Sequence, residues 1–184
     1  MKFVPAPLAG AFVIEPQPIS DSRGYFSVGW NKNKFAEHGL QTEFVQINLS
    51  GNNHRGTLRG LHSRKPGFEE EKLIRCSRGA AFDVIVDVRP ESDTFGQWFG
   101  VSLTADNGWM MYVPKGFLHG YQTLEDDTEL QYQVGRDYEP HAEIGARYDD
   151  PAFNIVWPMP VSEISEKDAA WGPFSIQPVA LSAG

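Results

Sequence analysis

Between Thr57 and Lys72 the chain reads T-L-R-G-L-H-S-R-K-P-G-F-E-E-E-K, which brings Arg59, His62 and Lys72 into one strand-and-loop unit. Histidine titrates near neutrality and can accept a proton at working pH. Guanidinium and ammonium groups beside it can hold negative charge. One base and two cations are the parts for moving a proton next to an anionic group. On an extended Thr57–His62 segment, however, Arg59 and His62 point to opposite faces unless a bulge or bend re-aims one of them. The same residues also suit a surface strand with a solvated charge run, so spacing alone leaves both readings open.

The elements that must position these residues are short β-like runs punctuated by Gly, Pro, Asn and Asp. Strands are expected over Ala11–Glu15, Tyr25–Trp30, Glu43–Leu49, Thr57–His62, Lys72–Cys76, Ala80–Val88, Gln97–Leu103, Trp109–Val113, Leu118–Leu124 and Glu129–Val134. Only Asn33–His38 and Ser165–Ala170 read as short helices. Asp83 and Asp87 interrupt the apolar run Phe82–Val88, which suggests a strand with one face lining something polar. Many strands without βαβ alternation argue for an all-β, antiparallel sandwich or barrel. The turn Pro114-Lys-Gly-Phe-Leu-His119 resembles the second box of the cupin jelly rolls. The first cupin box is incomplete, because Arg64 stands two residues after His62 where a second histidine would ligate a metal. A cupin-type jelly roll without a metal is therefore expected.

At 184 residues the chain fits a single domain spanning 1–184. A net charge of -8 argues against general nucleic-acid binding, though a local cationic pocket for one small anion is compatible with it. Cys76 is the only cysteine, so neither an intrachain disulfide nor a cysteine-based zinc site can form, as suits a reducing cytoplasm. The apolar run Phe3–Ile14 is broken by Pro5 and Pro7 and reads as a first strand near Ala11 rather than a signal peptide. No stretch approaches the length of a membrane span.

Longer matches run nearly end to end: D-S-R-G-Y-F at 21–26, F-V-Q-I-N at 44–48, L-R-G-L-H at 58–62, the lysine at 72, F-D-V-I-V-D-V-R at 82–89, T-F-G-Q-W at 94–98, V-P-K-G-F-L-H-G at 113–120, Y-Q-V-G-R-D-Y-E-P at 132–140, Y-D-D-P at 148–151 and I-S-E-K-D at 164–168. In this order the chain resembles the dTDP-4-dehydrorhamnose 3,5-epimerase family of nucleotide-sugar epimerases. The resemblance implies a homodimeric jelly roll that acts, without metal or organic cofactor, on a 4-keto-6-deoxyhexose attached to a nucleoside diphosphate. A C4 ketone acidifies the hydrogens at C3 and C5, so either centre can be inverted by removing a proton from one face and returning one to the other. That needs a base, an opposing acid and a group to hold the enolate oxygen.

By family position His62 is the base, Asp168 its tautomer-fixing partner, Tyr132 the acid and Lys72 the enolate-holding cation. His119 belongs to the same set and would contact the sugar. Arg23 and Arg59 match diphosphate ligands, a role suited to bidentate guanidinium geometry. Gln46, Asn48, Tyr138, Glu143 and Lys167 fall on substrate-contact positions. In this family the amino-terminal segment tends to reach a neighbouring subunit, which would place Arg23 in the partner's site. Read without the resemblance, His62 is a core histidine, Asp168 a helix cap, Tyr132 a core aromatic and Lys72 a solvated charge.

The chain departs from the family pattern at Val28, where glutamate is usual, at Ile47 inside Q-I-N, where aspartate is usual, and at Ser63, where an aromatic commonly follows the histidine. These departures put the nucleobase and the exact sugar in question. The rival readings are a single-site epimerase or ketoisomerase of another deoxysugar, a non-catalytic sugar-binding jelly roll, and a metal-dependent cupin oxygenase.

Overall fold

The computed structural model describes residues 1–174. With strands numbered in chain order, one sheet contains Lys2–Pro5 (β1), Phe12–Glu15 (β2), Gln46–Asn52 (β5), Lys72–Arg78 (β7), Met110–Val113 (β10) and Thr128–Val134 (β12), ordered β1-β2-β10-β7-β12-β5. The other contains Thr57–Arg64 (β6), Ala80–Asp87 (β8), Trp98–Thr104 (β9), Phe117–Thr123 (β11), Glu143–Gly145 (β13) and Glu163–Ile164 (β14), ordered β13-β6-β11-β8-β9 with β14 parallel to β6. A separate hairpin pairs Ile19–Asp21 (β3) with Gly24–Phe26 (β4). The two large sheets pack face to face as an antiparallel jelly roll of the cupin type.

Side-chain alternation explains the packing. On β7 and β10, Ile74, Cys76, Met111 and Val113 point inward and join Ile85, Leu103, Phe117, Tyr121 and Leu130 in the core between the sheets. Their neighbours Leu73, Met110 and Tyr112 point outward, beneath Phe35 of the helix Lys32–Glu37 (α1). Both faces of this sheet are thus covered at β10, which is why Met110–Val113 shows no polar alternation. Each fully buried Leu, Ile or Met contributes about 1.5–3 kcal/mol, so this core fixes the strand spacing that the site inherits.

The strand β1 was not expected from sequence. Phe3 pairs with Ile14, so the proline-broken apolar run is a hairpin with Pro5 closing an edge strand, where a missing N–H costs no ladder bond. Of the expected Tyr25–Trp30 strand only Tyr25–Phe26 forms, as the end of β4, because Trp30 turns away to pack on Phe35 and Phe44. The strand expected at Glu43–Leu49 is shifted to Gln46–Asn52, with its pattern inverted. Gln46, Asn48, Ser50 and Asn52 alternate with Ile47 and Leu49, and it is the apolar pair that is exposed, at 56% and 67%. Ser50 bonds Tyr121 at 2.8 Å inside the sandwich, which fixes the polar row as the inner one.

Candidate active site

A cleft of about 420 Å³ opens between the sheets where β5, β7 and β12 oppose β6 and β13. Register places its walls. Tyr132 pairs with Ile74 on one side and Asn48 on the other, and Lys72 pairs with Val134 and Val113, so these side chains share the inward face of the first sheet. His62 pairs with His119 on the second sheet.

The expected opposition of Arg59 and His62 is removed by a bulge. Between His119 and Tyr121 β11 has one residue, whereas β6 has two between His62 and Arg59, so both β6 side chains follow the inward face. Gly60 sits in the bulge at φ +112°, and a Cβ there would come within 2.7 Å of Gly120 Cα and the His119 carbonyl oxygen. Only glycine fits.

His62 Nε2 lies 2.6 Å from Asp168 Oδ1, and Asp168 Oδ2 accepts the Gly60 N–H at 3.1 Å. The carboxylate is carried by the helix Glu166–Ala169 (α2), whose N-cap is Ser165, not Asp168. Burial pushes the Asp168 carboxyl upward, but the His62 hydrogen bond and charge, the Gly60 N–H and Lys167 outweigh it and hold the group below the usual carboxylate range. An ionised Asp168 accepts from Nε2–H, which leaves Nδ1 of the neutral ring unprotonated. That is the tautomer a base requires.

Tyr132 and Lys72 line the same cleft. Among the described residues nothing hydrogen-bonds the Tyr132 hydroxyl. Burial, reinforced by Glu70 and Glu143 against the opposing Arg59 charge, raises its phenol above the usual value and keeps its proton in place. Lys72 is not solvated: its side chain is 15% exposed, and burial lowers its ammonium below the ordinary lysine range against the pull of Glu70.

Gln46 donates to Asn48 on the cleft wall. Glu143 and Lys167 form an ion pair at 2.6 Å, with the Tyr138 hydroxyl 3.4 Å from Glu143. Burial raises the Glu143 carboxyl, but Lys167, His62 and Arg64 together bring it below the usual range. His119 does not stand on the wall. It is buried, with Nε2 2.8 Å from Asp83 Oδ2, so Asp83 is the polar-facing aspartate of β8 while Asp87 instead binds Arg89, Ser92 and Thr94 at the strand's end.

Arg59 also lies beside the cleft, donating to Asn52 Oδ1 at 2.8 Å and the Gly51 carbonyl at 3.0 Å. Arg23 is outside it, on the exposed β3–β4 hairpin and paired to Asp21 at 2.6 Å. Val28 and Ile47 are exposed and do not line this chain's cleft, whereas Ser63 does. Two of the three departures therefore leave its walls unchanged.

Sequence reasoning assigned no role to Arg64, Glu70 or Arg136, all of which line the cleft. Arg64 could have been found, since it lies two residues from His62 on one strand face. Glu70 gave no signal among three consecutive glutamates. Among the described residues, no group of three His, Cys, Asp or Glu could hold a metal ion. The cleft has cations where a cupin has ligands.

A protein-family model described as dTDP-4-dehydrorhamnose 3,5-epimerase matches residues 5–175. The chain is 42% identical over 183 residues to the protein of that name from Methanothermobacter thermautotrophicus, covering 98% of each. The crystal structure of the Elizabethkingia anophelis dTDP-4-dehydrorhamnose 3,5-epimerase superposes with a TM-score of 0.91 at 38% identity, covering 95% of this chain and 96% of that one. The Bacillus anthracis enzyme, solved with TDP and PPi bound, gives 0.91 and 38%, covering 94% and 99%. With these matches, the chain belongs to the dTDP-4-dehydrorhamnose 3,5-epimerase family of isomerases.

Proposed function

We propose that this epimerase inverts both C3 and C5 of dTDP-4-dehydro-6-deoxyglucose to give dTDP-4-dehydrorhamnose. The observation that carries the reading is the 2.6 Å His62–Asp168 pair on a cleft that also presents Tyr132 and Lys72. His62 takes the proton α to the C4 ketone, and Asp168 stabilises the imidazolium that forms. Lys72 holds the enolate oxygen in a site where burial strengthens the charge interaction. Tyr132 returns a proton from the opposite face. No step calls for redox chemistry, so no organic cofactor is needed.

The catalytic unit in this proposal is a homodimer. Support comes from the apolar surface left uncovered on one chain: Ile47 and Leu49 on β5, together with Ile19, Tyr25 and Phe26 on the hairpin, all lie more than half exposed. A second copy covering this surface would bury it, and the hairpin carrying Arg23 could then reach the neighbouring cleft to bind diphosphate.

Product analysis in deuterated water tests the reaction. The expected NMR spectrum shows solvent deuterium at C3 and C5 with both centres inverted. Exchange and inversion at one carbon alone would refute the double epimerisation.

A further inference from the structure

Glu70 occupies an unusual place for the middle of a charge run. It is 8% exposed, on the loop between β6 and β7, and its Oε1 lies 3.2 Å from Arg64 Nε and 3.6 Å from Lys72 Nζ. Its Oε2 is buried without a hydrogen-bond partner. An ionised carboxylate in that position costs free energy unless adjacent cations compensate it. The converse holds for the cations, because two largely buried positive groups facing each other from the two sheets repel.

Other charges serve this purpose less directly. Glu143 is already committed to Lys167 at 2.6 Å and stands 3.8 Å from His62. Arg136 reaches the Gly67 carbonyl, and Tyr132 and Tyr138 are phenols. Among the described residues Glu70 is the only carboxylate within 4 Å of the Lys72 ammonium. It also braces Arg64, which in turn donates to the Glu139 carbonyl and lies 5.0 Å over the Tyr138 ring.

We propose that Glu70 is a positioning residue whose buried carboxylate is the counter-charge that holds the Lys72 ammonium and the Arg64 guanidinium together where the two sheets meet at the cleft. The proposal rests on the reading of Lys72 as the enolate-holding cation, and it assigns Glu70 the task of keeping that lysine charged. Burial and Arg64 both favour neutral Lys72, whereas Glu70, through both its charge and its hydrogen bond, and to a smaller extent the more distant Glu143 favour the ammonium. A neutral amine would hold an enolate oxygen far less strongly.

The test is an NMR titration of the full protein with 13C-labelled lysine side chains, the Lys72 signal being identified by its loss in Lys72→Met. An opposite charge at this range moves a titration by about one to three pH units. In Glu70→Gln the Lys72 midpoint is expected to fall by that amount, and the alkaline limb of the kcat profile should fall with it. Glu70→Asp, which retains the charge, should restore most of the midpoint. Arg64→Met should move the midpoint the other way, upward, and provides an independent arm if Glu70→Gln does not fold. A Lys72 midpoint unchanged in folded Glu70→Gln, or lowered in Arg64→Met, overturns the proposal. A midpoint that falls while the kcat profile stays still would support the charge coupling and instead remove Lys72 from the chemistry.

Discussion

Replacing Asp168 by asparagine changes few atoms but creates a conflict that can be worked out from two distances. One carboxylate oxygen meets His62 Nε2 at 2.6 Å and the other meets the Gly60 N–H at 3.1 Å, so the parent side chain accepts at both positions. An amide accepts at only one. If its oxygen stays on Gly60, its NH₂ donates to His62 Nε2, and the ring proton must move to Nδ1, which abolishes the base. If its oxygen stays on His62, a donor faces the buried Gly60 N–H. Loss of the charge-assisted bond costs about 1.5–3 kcal/mol of imidazolium stabilisation. With the tautomer penalty the total is about 3–4 kcal/mol, or a fall of about 10²–10³ in kcat. The Ser165 cap of α2 is untouched, so the variant should fold. Steady-state rates of product formation, with nucleotide affinity measured by calorimetry, check this. A kcat within threefold of the parent, or a loss confined to KM, would refute the assignment of His62–Asp168 as the base.

Tyr132→Phe should still wash deuterium into the sugar, as His62 removes and returns the proton on one face, while forming little inverted product; full epimerisation by the variant, seen by NMR, would exclude the phenol as the essential acid. Mixing inactive Arg23→Ala and His62→Asn chains under subunit exchange should recover activity if Arg23 serves the partner's cleft, since a hybrid then contains one intact site; no recovery in dimers shown to have exchanged would count against a shared site. Asp87 provides a stability test. Burial would raise its carboxyl, but the bonds from Arg89, Ser92 and Thr94 prevail and hold it at about 2, against an ordinary value of 3.8. A depressed folded-state value stabilises above the unfolded one and is lost as pH falls through about 2, so Asp87→Asn should cost about 2 kcal/mol at neutral pH. In urea denaturation the gap between parent and variant should narrow steadily below about pH 4, and a gap independent of pH would show that the carboxylate's charge is not its source.

How much of this was legible in the sequence depends on how local the cause was. Strands such as Ala80–Asp87 and Phe117–Thr123 lie within about a residue of where their apolar runs and turn residues put them. The strand β5 was displaced because its meaning is not local. An alternation of Gln46, Asn48, Ser50 and Asn52 with Ile47 and Leu49 predicts apolar residues inside, yet the polar row is turned inward by partners from other strands, Tyr121 for Ser50 and Arg59 for Asn52. Glu70 was hidden for a similar reason. Its burial depends on Arg64 and Lys72 meeting across two sheets, and three adjacent glutamates have no feature that marks the middle one as different.

The L-R-G-L-H segment shows how a sequence pattern becomes a site only through its partner strand. Spacing alone separates Arg59 from His62, and an unbulged β6 would have left one of them facing away from the cleft. The extra residue opposite Gly120 restores a common face, and it can be accommodated because Gly60 has no Cβ to collide with the His119 carbonyl oxygen. The same residue's N–H then becomes the second donor to Asp168. One glycine thus links strand register, the aim of the histidine and the orientation of the carboxylate behind it. The glycine between Arg59 and Leu61 therefore belongs to the chemistry as much as to the fold, although it carries no functional group.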